Sequence, residues 1–153
     1  MEPRRFESIV ELKDHVGQEV SVSDWLAVTQ QQISLFADAT GDHQWIHTDP
    51  ERAARESPSR STIAHGFLSL SLLAPLFASA LYIGRTKVSV NYGLNRVRFT
   101  APILSGDRIR ARFTLREYVD LDPGAQITWN VVIERAGGDK PALIAEWIMR
   151  RYP

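Results

Sequence analysis

The chain has 153 residues and contains no cysteine. Disulfide bonds, thiolate metal sites and a cysteine nucleophile are therefore excluded. A protein without disulfides does not depend on an oxidising compartment, so the composition is compatible with the reducing cytoplasm, where we expect the protein to work.

The chain also lacks an excess of charge and a long apolar run. Lys plus Arg and Asp plus Glu number 18 each, so no net field attracts nucleic acid or an anionic membrane. The most apolar stretch, 67–83, is interrupted by serines and by Pro75, which favours a buried helix over a membrane span. Residues 1–6 have no apolar segment of the kind found in secretory signals. We therefore expect one soluble domain over residues 1–153, with no nucleic-acid or membrane partner.

Three common functional motifs are absent as well. The sequence has no Gly-x-Ser-x-Gly nucleophile elbow, no phosphate-binding P-loop and no dinucleotide-binding glycine fingerprint. We accordingly predict neither a serine nucleophile nor a nucleotide cofactor.

The first half of the chain predicts helices. Thr29 and Gln32 match a capping box, in which the Thr side chain caps the helix and the Gln side chain reaches back, and Gly41 ends that helix. Pro75 removes a backbone bond inside the most apolar helix, so a bend is expected there. The predicted helices span 8–15, 29–40, a short segment from Asp49, and about 65–82.

The second half of the chain predicts strands. These segments are rich in Val, Ile, Phe, Tyr and Trp and are separated by turn residues. Gly93, in the middle of the first of them, suggests a bulge. The predicted strands are 19–28, 86–100, 108–120, 126–135 and 142–151. One early strand, a long buried helix and four long antiparallel strands indicate an α+β hot-dog fold, in which the sheet curls around the helix.

The candidate catalytic pair is Asp42 and His47, five residues apart in the turn after the second predicted helix. A carboxylate and an imidazole within reach of one water can share a proton abstraction, one as base and the other as acid or orienting group. In the alternative interpretation, Asp42 caps the turn and His47 is a satisfied, half-buried histidine. The spacing alone does not decide between these two.

The pair His65-Gly66 opens the apolar helix. Gly66 has no side chain, so a ligand carbonyl can approach its N–H closely, as an oxyanion donor requires. His65 is either a second polar contact or a structural cap. A metal bound by His43, His47 and His65 with Asp42 and Asp49 is disfavoured, because these residues come from turns of irregular spacing and do not form the His-Glu-x-x-His zinc helix motif. Trp45 is either a pocket wall or a core aromatic.

Four stretches of the chain resemble the MaoC-like dehydratase family, whose members include (R)-specific enoyl-CoA hydratases, and more closely its NodN-like branch. The family often reads Gly-Asp-x-Asn-Pro-x-His where this chain has Gln44 and Trp45 between the acid and the histidine. We assign both to the substrate-binding side of the site, together with His65 and Gly66. The stretches that carry the resemblance are 36–47, 49–54, 63–67 and 91–99.

The resemblance implies reversible addition of water to a trans-2-enoyl thioester, giving an (R)-3-hydroxyacyl thioester. Asp42 and His47 would hold and activate the water and deliver the proton at C2, while the Gly66 N–H polarises the thioester carbonyl. It also implies a homodimer, an acyl-CoA or acyl carrier protein thioester as substrate, and no cofactor or metal. The rival functions are a hot-dog acyl-CoA thioesterase and a non-catalytic acyl-thioester binding module.

Overall fold

A computed structural model describes residues 2–153 of the chain. Short elements occupy the first half and four long strands the second half. The elements, in chain order, are β1 (Arg4–Phe6), a 3₁₀ helix (Ile9–His15), β2 (Glu19–Val22), β3 (Leu26–Ala27), α1 (Gln30–Thr40), α2 (Trp45–Thr48), α3 (Pro50–Glu56), α4 (Gly66–Ser71), α5 (Leu73–Ala80), β4 (Leu81–Ile83), β5 (Val88–Phe99), β6 (Arg108–Asp120), β7 (Ala125–Arg135) and β8 (Leu143–Tyr152).

The four long strands and β2 form an antiparallel sheet in the order β2-β6-β7-β8-β5, and β3 extends it beside β6. Along β7, apolar residues alternate with more polar ones, as a strand with one buried face requires. Trp129 is fully buried on the inner face, opposite Leu115 and Trp147 on the neighbouring strands. The inner face wraps α4 and α5, so the predicted hot-dog fold is confirmed.

The central helix is anchored by Phe77, whose ring makes edge-to-face contacts with three aromatic rings of the sheet. The ring centroids lie 5.2 Å from Phe113, 5.5 Å from Trp129 and 5.7 Å from Trp147. Such pairs contribute about 0.5–1.5 kcal/mol each beyond the area that they bury. The aromatic cluster therefore fixes the helix against the sheet.

The predicted helix over 65–82 is interrupted and shorter than expected. It divides at Leu72 into α4 and α5, because Pro75 has no N–H to donate to the carbonyl of Ser71. The bend is thus confirmed. The helix ends at Ala80, and residues 81–83 instead form a parallel pair with β1. The prediction missed this pair, since three-residue strands carry no periodic signal.

The predicted strand over 19–28 is two short strands rather than one. Ser23 interrupts the ladder: its N–H donates to Ala111 O, and its hydroxyl accepts from Ala111 N. The predicted bulge at Gly93 is confirmed by a register shift between Asn91 and Gly93. A second shift follows in the same strand, where Arg96 adopts a φ of 50°.

The predicted capping box is only half formed. Thr29 Oγ1 accepts a hydrogen bond from Gln32 N at 3.2 Å, as expected. The Gln32 side chain does not reach back, and its buried Oε1 has no hydrogen-bond partner within residues 2–153. At the other end of α1, Gly41 has a φ of 80° and donates its N–H to Ala37 O, which ends the helix as predicted.

The edge strand β5 leaves one side of the fold open. It pairs only with β8, and none of its twelve residues is buried. The central helix is therefore not covered on this side, and Phe67 on α4 is 72% exposed. The sequence predicted a helix that is wrapped on all sides, whereas in this chain the side next to β5 stays open. Among the described residues, no helix is long and apolar enough to cross a membrane.

Candidate active site

Asp42 and His47 come together with His65 at one end of the sheet. One oxygen or nitrogen atom from each of the three side chains lies within 4.8 Å of the others. Asp42 is exposed in the loop between α1 and α2, whereas His47 on α2 is 7% exposed. The sequence predicted the first two as a pair, and the fold brings them within reach of a single small molecule.

Three contacts hold Asp42 in place. Its Oδ1 accepts from the Gln44 N–H at 3.3 Å, and its own N–H donates to Thr40 Oγ1 at 3.4 Å. Its backbone carbonyl accepts from His65 Nε2 at 2.9 Å. Within residues 2–153, the second carboxylate oxygen accepts no hydrogen bond. It is therefore free to accept one from a ligand or a water.

The ring of His47 is oriented by a backbone carbonyl. Nδ1 lies 2.7 Å from Ile63 O, and because a carbonyl only accepts, Nδ1 carries the proton. In the neutral ring the lone pair is then on Nε2. A histidine held in this tautomer can accept a proton at Nε2, as a general base must.

A second layer behind His47 was not predicted from the sequence. Gln30 Nε2 donates to His47 O at 2.8 Å, and the hydroxyl of Thr62 donates to Gln30 Oε1. Thr62 is almost completely buried. These residues are distant in sequence from His47 and carry no motif, so only the folded chain reveals the connection.

His65 supports both members of the pair. Its ring is 3% exposed and stacks on His47, with centroids 3.8 Å apart and planes inclined by 22°. Phe36 covers it at 4.9 Å. Its Nε2–H holds the Asp42 carbonyl, while the buried Nδ1 has no hydrogen-bond partner among the described residues. These contacts favour a structural role over the predicted contact with substrate.

Gly66 begins α4 directly after His65. The His65 side chain does not cap the helix, so it leaves the first N–H groups of α4 unbonded. The ring of Phe99 lies over the Cα of Gly66, where a Cβ would approach ring atoms to 3.0 Å. Phe99 also contacts Phe67 edge to face at 6.3 Å, and both rings are exposed. Gly66 therefore lies beside two exposed aromatic rings.

The remaining predicted site residues, Gln44 and Trp45, make contacts within the chain. Gln44 contributes its backbone N–H to Asp42, and its exposed side chain makes no hydrogen bond with the described residues. The ring of Trp45 lies 4.4 Å from the Arg52 guanidinium, which ties α2 to α3. The roles of Gln44 and Trp45 as substrate contacts therefore stay predictions. His43 hydrogen-bonds to Asp38 at 2.9 Å instead of joining the group of three, and this bond raises its pKa.

Asp42, His47 and His65 are also the residues that could hold a metal ion. Both histidines use their other ring nitrogen on a backbone carbonyl, as metal-binding histidines often do. The two rings are stacked, however, so their in-plane lone pairs run side by side instead of converging. A shared ion would require one ring to rotate, whereas a water between Asp42 and His47 requires no such change.

Comparison with known proteins identifies the class to which this fold and site belong. Residues 11–135 match the model of the MaoC like domain, and the chain belongs to the MaoC-like dehydratase family.

Two curated relatives match over most of their length. The 3-hydroxyacyl-thioester dehydratase Z of Mycobacterium tuberculosis H37Rv is 49% identical over 148 residues, covering 96% of this chain and 97% of the relative. Nodulation protein N of Rhizobium leguminosarum is 46% identical over 143 residues, covering 92% and 89%.

Among solved structures, the (R)-hydratase of A. caviae superimposes with a TM-score of 0.70 at 26% identity, covering 90% of this chain and 96% of the hydratase. Together these relationships identify the chain as a hydro-lyase with a hot-dog fold.

Proposed function

We propose that the protein catalyses the reversible addition of water to a trans-2-enoyl thioester, giving an (R)-3-hydroxyacyl thioester. The observation that carries this proposal is the convergence of the Asp42 carboxylate and the His47 ring, in a family whose relatives bear dehydratase and (R)-hydratase names. The acyl group would be carried by CoA or by an acyl carrier protein. No cofactor or metal takes part in the proposed scheme.

In the proposed reaction, Asp42 and His47 hold the attacking water. The free carboxylate oxygen and His47 Nε2 each accept a hydrogen bond from it, which directs the water oxygen at C3 of the substrate. As the C–O bond forms, the pair takes up one proton of the water, and it then returns a proton to C2. General acid–base catalysis of this kind is worth about 10²–10⁴-fold in rate.

Gly66 would supply the electrostatic part of the reaction. When water adds at C3, negative charge develops on the thioester oxygen, and a backbone N–H aimed at that oxygen stabilises it. The absence of a side chain at Gly66 allows the thioester to reach the N–H, and the exposed rings of Phe67 and Phe99 would line the entrance for the substrate.

The exposed edge strand β5 supports a homodimer as the working form. The strand offers unpaired backbone groups along twelve residues. An exposed apolar edge of this length readily pairs with a second strand. A second copy placed there would bury its large apolar side chains, namely Val88, Val90, Tyr92, Leu94 and Phe99.

The test is the hydration of crotonyl-CoA by the wild type and by the variants Asp42→Asn and His47→Gln. We expect each variant to lose about 10²–10⁴-fold in kcat/KM, because each removes one member of the acid–base pair. Asp42 is exposed, so its variant should keep the thermal stability of the wild type. His47→Gln removes a buried bond to Ile63 O and should cost about 1–3 kcal/mol of unfolding free energy.

The matched control is His43→Asn, which changes an exposed histidine of the same loop that hydrogen-bonds to Asp38 and is not part of the pair. It should leave the hydration rate near that of the wild type. Near wild-type rates for Asp42→Asn and His47→Gln would refute the assignment. Release of free thiol from saturated acyl-CoA, in place of hydration, would instead identify a thioesterase, in which the water attacks C1.

A further inference from the structure

The core-facing row of β8 ends in a charged residue. Side chains at alternate positions of this strand face the central helix, and this row is Leu143, Ala145, Trp147, Met149 and Arg151. Arg151 pairs in register with Ser89 on β5 and with the fully buried Ala125 on β7. The Arg151 guanidinium therefore lies on the core-facing side of the sheet, after four apolar residues of the same strand.

Arg151 has no anionic partner among residues 2–153. Its guanidinium lies 5.3 Å from the ring centroid of Phe77, and its buried Nε makes no hydrogen bond. Burial lowers its pKa, and no carboxylate counters that effect. Other arginines of the sheet do have such a partner: Arg110 and Arg112, for example, pair with Glu134. Because an unpaired, largely buried cation is costly, such a group calls for a partner from outside the chain.

The groove beside Arg151 continues along the central helix toward Gly66. Arg151 lines a cavity of about 430 Å³ between α5 and β5. Ala74, Asn91 and Trp147 are shared with a second cavity of about 330 Å³, which extends along α4 to Leu70. Leu70 lies one helical turn from Gly66. The groove thus runs along the open side of the central helix from Arg151 to Leu70, one turn short of Gly66.

The walls of the groove change in character along its length. The helix contributes apolar residues at every lining position except one, and Leu81 of β4 continues this apolar wall; the helix residues are Leu70, Ser71, Leu73, Ala74, Phe77 and Ala78. Ser89 and Asn91, on the opposite wall near Arg151, make no side-chain hydrogen bond with the described residues. An apolar channel that ends in a hydroxyl, an amide and a guanidinium matches an acyl chain with a polar, negatively charged end.

The length of the groove sets the size of such a chain. Phe77 lies eleven residues after Gly66, which corresponds to roughly 16 Å at about 1.5 Å per residue. An extended acyl chain with bonds of about 1.5 Å advances roughly 1.3 Å per carbon, so roughly a dozen carbons separate the thioester from the guanidinium. Short acyl chains such as crotonyl do not reach it.

We propose that the groove between the central helix and β5 binds acyl chains that carry a carboxylate at the far end, which pairs with Arg151 and hydrogen-bonds to Ser89 and Asn91. This inference rests on the proposed function in one respect, the placement of the thioester at Gly66. The apolar helix wall assigns the groove to the acyl chain. The alternative occupant is the pantetheine arm of the carrier, whose phosphate could also pair with Arg151. That arm is disfavoured because its amides would lie against the apolar wall without hydrogen-bond partners.

The first experiment measures binding, so that it does not depend on catalysis. Tetradecanedioyl-CoA and myristoyl-CoA are both saturated, have equal chain lengths and differ only at the far end. We expect the wild type to bind the carboxylate-ended thioester about 10- to 100-fold more tightly, which is the contribution of a hydrogen-bonded ion pair. Arg151→Met should abolish or invert this preference. Equal affinity of the wild type for the two thioesters would overturn the proposal.

Two further variants keep the test interpretable if Arg151→Met unfolds. Asn91→Leu changes an exposed side chain of the groove and should reduce the preference with little effect on stability. Arg150→Met is the matched control, because Arg150 lies on the opposite face of β8, stacked on Tyr92, and the preference should survive its loss. If Arg151→Met instead weakens every CoA ester equally, Arg151 contacts the phosphate of the carrier and the proposal is wrong.

Hydration of crotonyl-CoA separates this inference from the proposed function. Crotonyl-CoA is too short to contact Arg151, so its hydration by the wild type reports on the candidate catalytic pair and not on the far end of the groove. A wild type that does not hydrate crotonyl-CoA but prefers the carboxylate-ended thioester would refute the proposed function alone. A wild type that hydrates crotonyl-CoA without that preference would refute the groove assignment alone.

Discussion

Replacing Gly66 with alanine tests the oxyanion role most directly, because the structure shows what the new methyl group would meet. A Cβ at this position would lie 3.0–3.1 Å from three atoms of the Phe99 ring. Carbon atoms pack best at about 3.5–4.0 Å, so one group must move by roughly half an ångström or more. Phe99 is 49% exposed near the end of β5, so its ring can turn aside.

The expected effect on stability is small. Crowding of this kind costs about 1–3 kcal/mol when the neighbour cannot yield, and less when it can. Alanine in a helix is favoured over glycine by roughly 0.5–1 kcal/mol, which offsets part of that cost. We therefore expect Gly66→Ala to lower the free energy of unfolding by about 0–2 kcal/mol, a change that denaturant titration measures.

The expected effect on catalysis is larger. Removing one oxyanion donor typically costs about 10²–10³-fold in kcat. Gly66→Ala keeps the N–H but holds the thioester carbonyl away from it, so we expect a loss of about 10- to 10³-fold in crotonyl-CoA hydration. The loss should appear mainly in kcat, because charge on the carbonyl oxygen is largest in the transition state. The assay follows the disappearance of the enoyl thioester.

The double variant Gly66→Ala/Phe99→Ala separates crowding from displacement of the substrate. If the methyl group acts only by pushing Phe99, the double variant should restore the rate to that of Phe99→Ala alone. If the methyl group displaces the carbonyl, the double variant regains stability and remains slow, which is the result we expect. A fully active Gly66→Ala enzyme would show that the N–H of Gly66 does not serve the reaction.

Three further predictions concern the surroundings of the pair. His65→Gln keeps a donor for the Asp42 carbonyl, whereas His65→Phe keeps only the stacking on His47, so His65→Gln should retain the higher kcat. KM should change little in either variant. Equal losses of kcat would contradict the positioning role of His65. The pKa of His43 is raised chiefly by its hydrogen bond to Asp38. The His43–Asp38 bond therefore stabilises the fold fully below the ordinary histidine pKa, and this contribution disappears as pH rises through the raised pKa. NMR titration of the His43 ring, with Asp38→Asn as control, checks the direction. Val90→Lys places a charge on the exposed edge strand and should yield a monomer in sedimentation analysis if that edge forms the dimer.

Much of the fold was predictable because its signals are local. The alternation of apolar residues in the long strands, the turn residues between them and the stop at Gly41 depend on neighbours only a few residues away, and all were confirmed. The short β1–β4 pair and the break at Ser23 were not predictable. They are set by contacts between segments far apart in the chain, such as the hydrogen bonds that join Ser23 to Ala111.

The same division applies to the candidate site. The sequence by itself determined the chemical types present: an acid and a histidine five residues apart, a glycine at a helix start, and no cysteine. It could not decide between a turn and a catalytic pair, since both have the same spacing. Only the tertiary structure brings atoms of Asp42, His47 and His65 within 4.8 Å of one another and pairs His43 with Asp38.

The tertiary structure also decided how each ring is used. A neutral histidine can adopt either of two tautomers, and it is the carbonyl of Ile63, sixteen residues away, that leaves Nε2 of His47 free. Arg151 is one arginine among many in the sequence, and nothing local distinguishes it. Its unpaired, partly buried position follows from strand register, which places it on the core side of β8 beside Phe77. Residue type is a local property, whereas proximity, orientation and burial arise only when the chain folds.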